Sequence, residues 1–298
     1  MKFGKALIDG KASLITLLGN RWINLSRAAV DQHLHVEGKP FPWMESVDEL
    51  IRAGLFNRSF YRRVTEFCQR HGRLETYLLK DAPEFLLPWR PGKIIAIGRN
   101  FHAHVAEFDN KLPQEPVYFN KAPSACIGPG EPVVIRSEYG RVDHEGELGV
   151  VIGRRASRIA AAEARNHIAG YTLVNDVTAR DIQRRDMGEG NPWFRSKSID
   201  TFCPMGPVVV MADTLDWPVR EELVVRVNGA ERQHSNTDKF IFDIPALLEA
   251  VTRLITLEPG DLVSTGTPEG VSPLHGGDIV EVESPEIGIL RNPVVLAP

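Results

Sequence analysis

The sequence has no long apolar run. Nowhere do its 298 residues approach the ~20 consecutive apolar positions that cross a bilayer. The opening MKFGKALIDGKASL also lacks the apolar core of a secretory leader. Cysteine is scarce: Cys68, Cys126 and Cys203 are odd in number and far apart, which argues against a disulfide framework or zinc knuckle and fits a reducing compartment. A basic surplus is missing too, with 35 Lys and Arg against 39 Asp and Glu, so nucleic acid is not expected as a partner. Neither a P-loop nor GxGxxG occurs, which leaves nucleotide cofactors without support. These absences predict a cytoplasmic protein with no membrane or nucleic-acid partner, working alone or with copies of itself.

What is present, 43% hydrophobic and 25% charged residues, suits one large domain or a large and a small one. Residues 1 to about 28 read as short strands, with turns at Asp9-Gly10 and Gly19-Asn20. SVDELIRAG then offers a helix with Ser46 as N-cap, Glu49 completing a capping box and Gly54 as the stop. A second helix runs through SFYRRVTEFCQRHG, from Ser59 to near Gly72. KDAPEFLLPWRPGK, with three prolines and a glycine, predicts a boundary between a small N-terminal α+β domain (1–86) and a larger domain (87–298). Beyond it short apolar runs dominate, among them KIIAIG, ELGVVIG, GYTLVND and GDLVSTG, and Asn228-Gly229 marks a hairpin. Only IAAAEARNHI and IPALLEAVTRLITL read as long helices. So many strands with so few helices disfavour a doubly wound sheet. They predict an α+β fold, β-rich and mixed, with peripheral helices.

Three constellations carry chemistry. In HEGELGVVIG, Glu145 and Glu147 stand two positions apart on an extended segment, so both side chains point to one face. Asp176 follows the apolar strand of GYTLVND, where a loop begins. Three carboxylates with open positions suit a hard cation such as Mg²⁺, Mn²⁺ or Ca²⁺. The same spacing also fits glutamates facing water on an edge strand, with Asp176 capping the next helix. In NFHAHVAE, one helical turn would bring His104 and Glu107 together, as in a general base oriented by a carboxylate, or as in an ordinary surface ion pair. Its place after the strand KIIAIG favours a site, with His102 at the rim. Finally, Arg180, Gln183 and Lys197, from DVTARDIQ and WFRSKSID, could be donors to an anion. Each read singly is compatible with a solvated surface position.

GRNFHAHVAE, HEGELGVVIG, AGYTLVNDVTARDIQ, PWFRSKSIDTFCPMGP, VNGAERQ and GDLVSTGTPEGV occur in one order. Together the segments from about Lys93 to Val295 resemble the fumarylacetoacetate hydrolase family, and residues 1–86 look like the variable first domain of its two-domain members. The resemblance implies a β-roll-like catalytic domain, a divalent metal (usually Mg²⁺ or Mn²⁺) and a homodimer. It places the metal carboxylates on Glu145, Glu147 and Asp176, and the catalytic pair on His104 and Glu107. The substrate or oxyanion donors fall on Arg180, Gln183, Lys197 and Thr267. Two departures stand out: Phe101 replaces a common tyrosine, and Gly146 a branched or apolar residue. The implied reaction is hydrolysis of a carbon–carbon bond in an acylpyruvate-type β-diketo acid, with water activated by His104 and Glu107 and the enolate stabilised by the metal and Lys197. The alternatives are isomerisation or decarboxylation of a related 2-oxo or 2-hydroxy-dienoate dicarboxylate, and a catalytically weak metal-binding protein of the same fold. The segment from about His102 to Pro116 is expected to fold over the site when substrate binds.

Overall fold

The computed structural model describes residues 1–70, 72, 74–107 and 111–298, without the side chains of residues 104–106. Among the described residues, eleven strands join in one sheet and five in a second. The long path of the first runs through strands 21–24, 11–18, 2–8, 203–211, 168–175, 146–152, 262–264, 94–98 and 117–121. The second follows the order 230–236, 222–227, 279–284, 288–297, 133–136. With helices on the periphery, this is the strand-rich α+β architecture that the sequence predicts. No helix is long and apolar enough to cross a membrane among the described residues.

Strand Gly146–Ile152 reads as a near-continuous apolar run because it is buried on both faces. Leu148, Val150 and Ile152 enter one core cluster, with Val225, Val280 and Val282 of the second sheet. Val151 enters the other, with Phe3, Val64 and Trp89. The glycines of this strand permit that closeness. A Cβ on Gly146 would come 2.3 Å from Val225 Cγ2 and 3.2 Å from Val282 Cγ1. The missing side chain at this departure is thus the space that the second sheet occupies.

Both predicted turns appear, as Asp9 and Gly10 at φ 50° and 75° and Gly19 at φ 62°. The helix Val47–Arg52 has Glu49 Oε2 accepting from the backbone of Ser46, and Gly54 beyond its end at φ 69°. Two expectations about elements need correction. The strands stop at Asn24, whose side chain accepts from the Arg27 N–H and opens a helix over Leu25–Glu37. Leu25, Ala28, Ala29 and Gln32 form its buried face at helical spacing. IAAAEARNHI forms only a 3₁₀ run, Ala161–His167, in which Ala164 alone is buried. Alanine favours helix, but with one anchor there is little tertiary packing to select an α-helix.

Candidate active site

Antiparallel pairing sets Gly146 opposite Asn175 and Glu147 opposite Val174. The ladder continues past the strand ends: the Asp176 N–H donates to the Glu145 carbonyl at 2.8 Å, and Asn175 Oδ1 accepts from the Glu145 N–H at 2.9 Å. Glu145, Glu147 and Asp176 are thereby fixed at one end of two neighbouring strands. One oxygen from each lies within 4.8 Å of the others, and all three residues are buried. The glutamates do not face water.

Cations surround the cluster. The Lys197 ammonium donates to Glu145 Oε2 and Asp176 Oδ2, both at 2.6 Å. Arg180 donates to Glu145 Oε1 (2.6 Å), Asp143 Oδ2 (2.9 Å) and Gln183 Oε1 (2.7 Å). Lys121, fully buried, donates to Asp176 Oδ1 at 2.6 Å and to the backbone carbonyl of Lys197. Glu147 is held differently. Ser264 Oγ and the Gly266 N–H, at 2.6 and 2.9 Å, both donate to its Oε2. Burial, then the nearby Asp176 and Glu145, raise its pKa well above the usual carboxylate range. For Lys197, burial opposes the charge, but Asp176 and Glu145 outweigh it and raise the pKa.

Three convergent, buried carboxylates, one of them reluctant to ionise, fit a hard divalent cation. Such an ion would supply the charge that lets Glu147 ionise. Glu145, Glu147 and Asp176 would hold it, each offering an oxygen.

The cavity above the cluster measures about 200 Å³. Arg180, Gln183, Lys197 and Thr267 all line it with the three carboxylates. Arg180 and Gln183 are buried, not solvated. Thr267 Oγ1 donates to the Gly146 carbonyl at 3.0 Å and accepts from Gln233 Nε2 at 2.8 Å. His104 and Glu107 sit on the helix His102–Glu107, but the His104 side chain lies outside the described residues. Glu107 is exposed, and its Oε1 accepts from the Gly270 N–H at 3.3 Å in the loop after Thr267. His102 is exposed. The expected closing segment runs through residues 108–110, which lie outside the described residues. Phe101, the other departure, is buried and packs edge-on against Phe240, 4.9 Å between centroids.

Sequence reasoning missed Lys121, Asp143 and His144. His144 is wedged between Gln233 Oε1 (3.1 Å) and Ser272 Oγ (2.8 Å), and burial pushes its pKa down to about 4, so it is neutral at physiological pH. Lys121 carried one available signal, a lysine closing the otherwise uncharged strand VYFNK.

The profile of the Fumarylacetoacetate (FAA) hydrolase C-terminal family matches residues 93–295. A mitochondrial oxaloacetate tautomerase of Caenorhabditis elegans is 43% identical over 189 residues, 63% of this chain and 88% of the worm protein. Among solved structures, 5-carboxymethyl-2-hydroxymuconate delta-isomerase from Mycobacterium smegmatis superposes with a TM-score of 0.74 at 33% identity, covering all of both chains. Fumarylacetoacetate hydrolase from Exiguobacterium antarcticum gives 0.77 at 30%, again over the full length of both.

Proposed function

The chain belongs to the fumarylacetoacetate hydrolase family, and from that premise we propose that it is a divalent-metal-dependent enzyme interconverting keto and enol forms of a small 2-keto acid. Tautomerisation of an oxaloacetate-type acid, or isomerisation of a related enol diacid, is the reaction. The names of the tautomerase and isomerase relatives support this reading. The observation that carries it is the placement of Lys197. Its ammonium has three N–H groups, of which Glu145 and Asp176 take two. The third is left for a substrate oxygen.

An enolate concentrates negative charge on its α-oxygen, so a site making one needs fixed positive charge there. When bound, Mg²⁺ or Mn²⁺ supplies Lewis-acid polarisation of the keto acid. Lys197 hydrogen-bonds the developing oxyanion. Arg180, tied to Asp143 and Glu145, keeps Gln183 aimed at the cavity. Proton transfer at carbon is assigned to His104, oriented by Glu107. The Gly270 contact of Glu107 supports this by tethering the 102–107 helix to the loop that carries Thr267.

Hydrolysis of an acylpyruvate is the second reading, favoured by the full-length match to a fumarylacetoacetate hydrolase. It uses the same enolate as leaving group, with His104 taking its proton from water. The test follows enol-oxaloacetate decay optically with added Mg²⁺ or Mn²⁺, alongside product analysis with acetylpyruvate. Accelerated ketonisation, lost ~10²-fold or more in Lys197→Met, supports the first reading. Acetate and pyruvate appearing from acetylpyruvate without accelerated ketonisation would replace it with the second.

A further inference from the structure

The cavity is lined by four cations, Arg99, Arg180, Arg184 and Lys197. At its floor Lys197 Nζ stands 5.2 Å from the Phe119 ring, and the Phe119 and Trp193 rings meet edge-on at 5.4 Å. Arg99 Cζ lies 5.6 Å from the Trp193 ring centroid. Two touching aromatic rings thus stand beside two of the cations that line one cavity, Lys197 and Arg99. All of these cations but Arg99 are paired: Lys197 and Arg180 with the buried carboxylates, and Arg184 with Asp181. Half-buried Arg99 has no acidic partner among the described residues.

The backbone is shaped to present it. Arg99 adopts φ 58°, the left-handed region that an arginine rarely occupies. A Cβ on the preceding Gly98 would come 2.5 Å from Trp193 Cζ3, so only glycine lets the indole lie against this turn. Strained backbone beside a cavity points to a positioned side chain.

Charge balance agrees. Asp143, Glu145, Glu147 and Asp176 face Arg141, Arg180, Lys121 and Lys197, four acids against four bases. A divalent cation on the carboxylates leaves two surplus positive charges, and Arg99 adds a third. A 2-keto monoacid brings one negative charge; a keto diacid brings two. At about 200 Å³ the cavity is smaller than the usual ~300–1,000 Å³ of ligand pockets, which suits a short chain.

We propose that Arg99 binds a second carboxylate of the substrate, so that the site selects short 2-keto diacids over monoacids of equal length. This deepens the keto-acid reading above and rests on it for the first carboxylate only. The probes are 2-oxoglutarate and 2-oxopentanoate, which differ in a terminal carboxylate against a methyl group. Their binding to the Mg²⁺-loaded protein is measured by calorimetry. Wild type should prefer the diacid ~10- to 100-fold, the range of a charge-assisted pair. Arg99→Asn should abolish that preference while leaving monoacid affinity unchanged, because asparagine tolerates the left-handed turn. Arg99→Lys keeps the charge without the planar fork and should retain part of the preference, which provides the same test should Arg99→Asn not fold. No preference in wild type, or equal loss for both probes in the variants, overturns the proposal. Diacid preference that depends on Arg99 without turnover of any keto acid would uphold it while refuting the proposed function.

Discussion

On the 58–70 helix, Arg62 and Arg70 flank Glu66 with side chains 73%, 76% and 39% exposed. At the cavity floor, Lys121 and Lys197 flank Asp176 with side chains 0–3% exposed. The chemistry of the two clusters is the same, two cations on one carboxylate, and the separations are similar, at 2.6–3.4 Å. Their energetics differ in kind. Water screens the helix trio, so each pair is worth ~0–1 kcal/mol and the protein would barely notice its loss. The buried trio gives up hydration that its attractions only roughly recover, so it adds little net stability while intact. Breaking it strands a charge. A cluster that is costly to break and unprofitable to build fits a binding role better than a stabilising one.

The sharpest way to break this contrast is Lys121→Met. It should destabilise the protein by about 3–5 kcal/mol in urea unfolding, because Asp176 loses a buried partner. Added Mg²⁺ should recover more stability in this variant than in wild type, since a cation replaces the missing charge. A loss below about 1 kcal/mol would mean the floor behaves like the surface. Gly146→Val probes the same floor through packing, with an expected cost of about 1–3 kcal/mol from the clash with Val225. Unchanged unfolding midpoints would show that the second sheet can retreat.

Glu147→Gln separates charge from hydrogen bonding. The amide oxygen can still accept from Ser264 and Gly266, so stability without metal should change by no more than about 1 kcal/mol. Calorimetric affinity for Mg²⁺ or Mn²⁺ should nevertheless fall at least ~10-fold, as a charged ligand is lost. Equal metal binding by both proteins would remove Glu147 from the metal site. At the surface, Arg70→Ala should cost no more than about 0.5 kcal/mol, an effect that vanishes at 1 M salt. The smallest effect belongs to His234, whose exposed ring pairs with Glu222 and Glu231. These partners raise its pKa above the ordinary 6.5, so its contribution is fully present below that pH and disappears as pH rises through the folded value. His234→Asn should flatten that pH dependence, with a change in stability below about 0.5 kcal/mol.

The unequal legibility of the two clusters has a physical origin. Glu145, Glu147 and Asp176 were readable because strand alternation and a strand end are local patterns. Lys121 and Asp143 were not: Asp176 and Arg180, the cluster partners that draw them in, lie 55 and 37 positions away, and no period reports such a meeting. The strand-rich texture was likewise visible in short apolar runs. The helix at 25–37 was hidden by polar residues around its narrow buried stripe, and the 161–167 segment by alanines of which only Ala164 is buried. Arg99 carries no pattern at all, since its significance lies in a dihedral angle and a neighbouring indole.

The pairing of strand 2–8 with strand 203–211 sets a timetable for synthesis. Gly4 meets Val208, so strand 2–8 must wait about two hundred codons for this neighbour. At ~5–20 residues per second that is roughly 10–40 s. Strand 11–18 emerges at once and covers one edge as a hairpin, and strand 84–86 later covers residues 5–7 of the other, leaving residues 2–4 open to any passing chain. The second sheet is completed later still, because strand 133–136 pairs with residues 294–297. Ribosome-bound chains stalled before residue 203 should therefore recruit holding chaperones, whereas chains extended past residue 297 and clear of the exit tunnel should not.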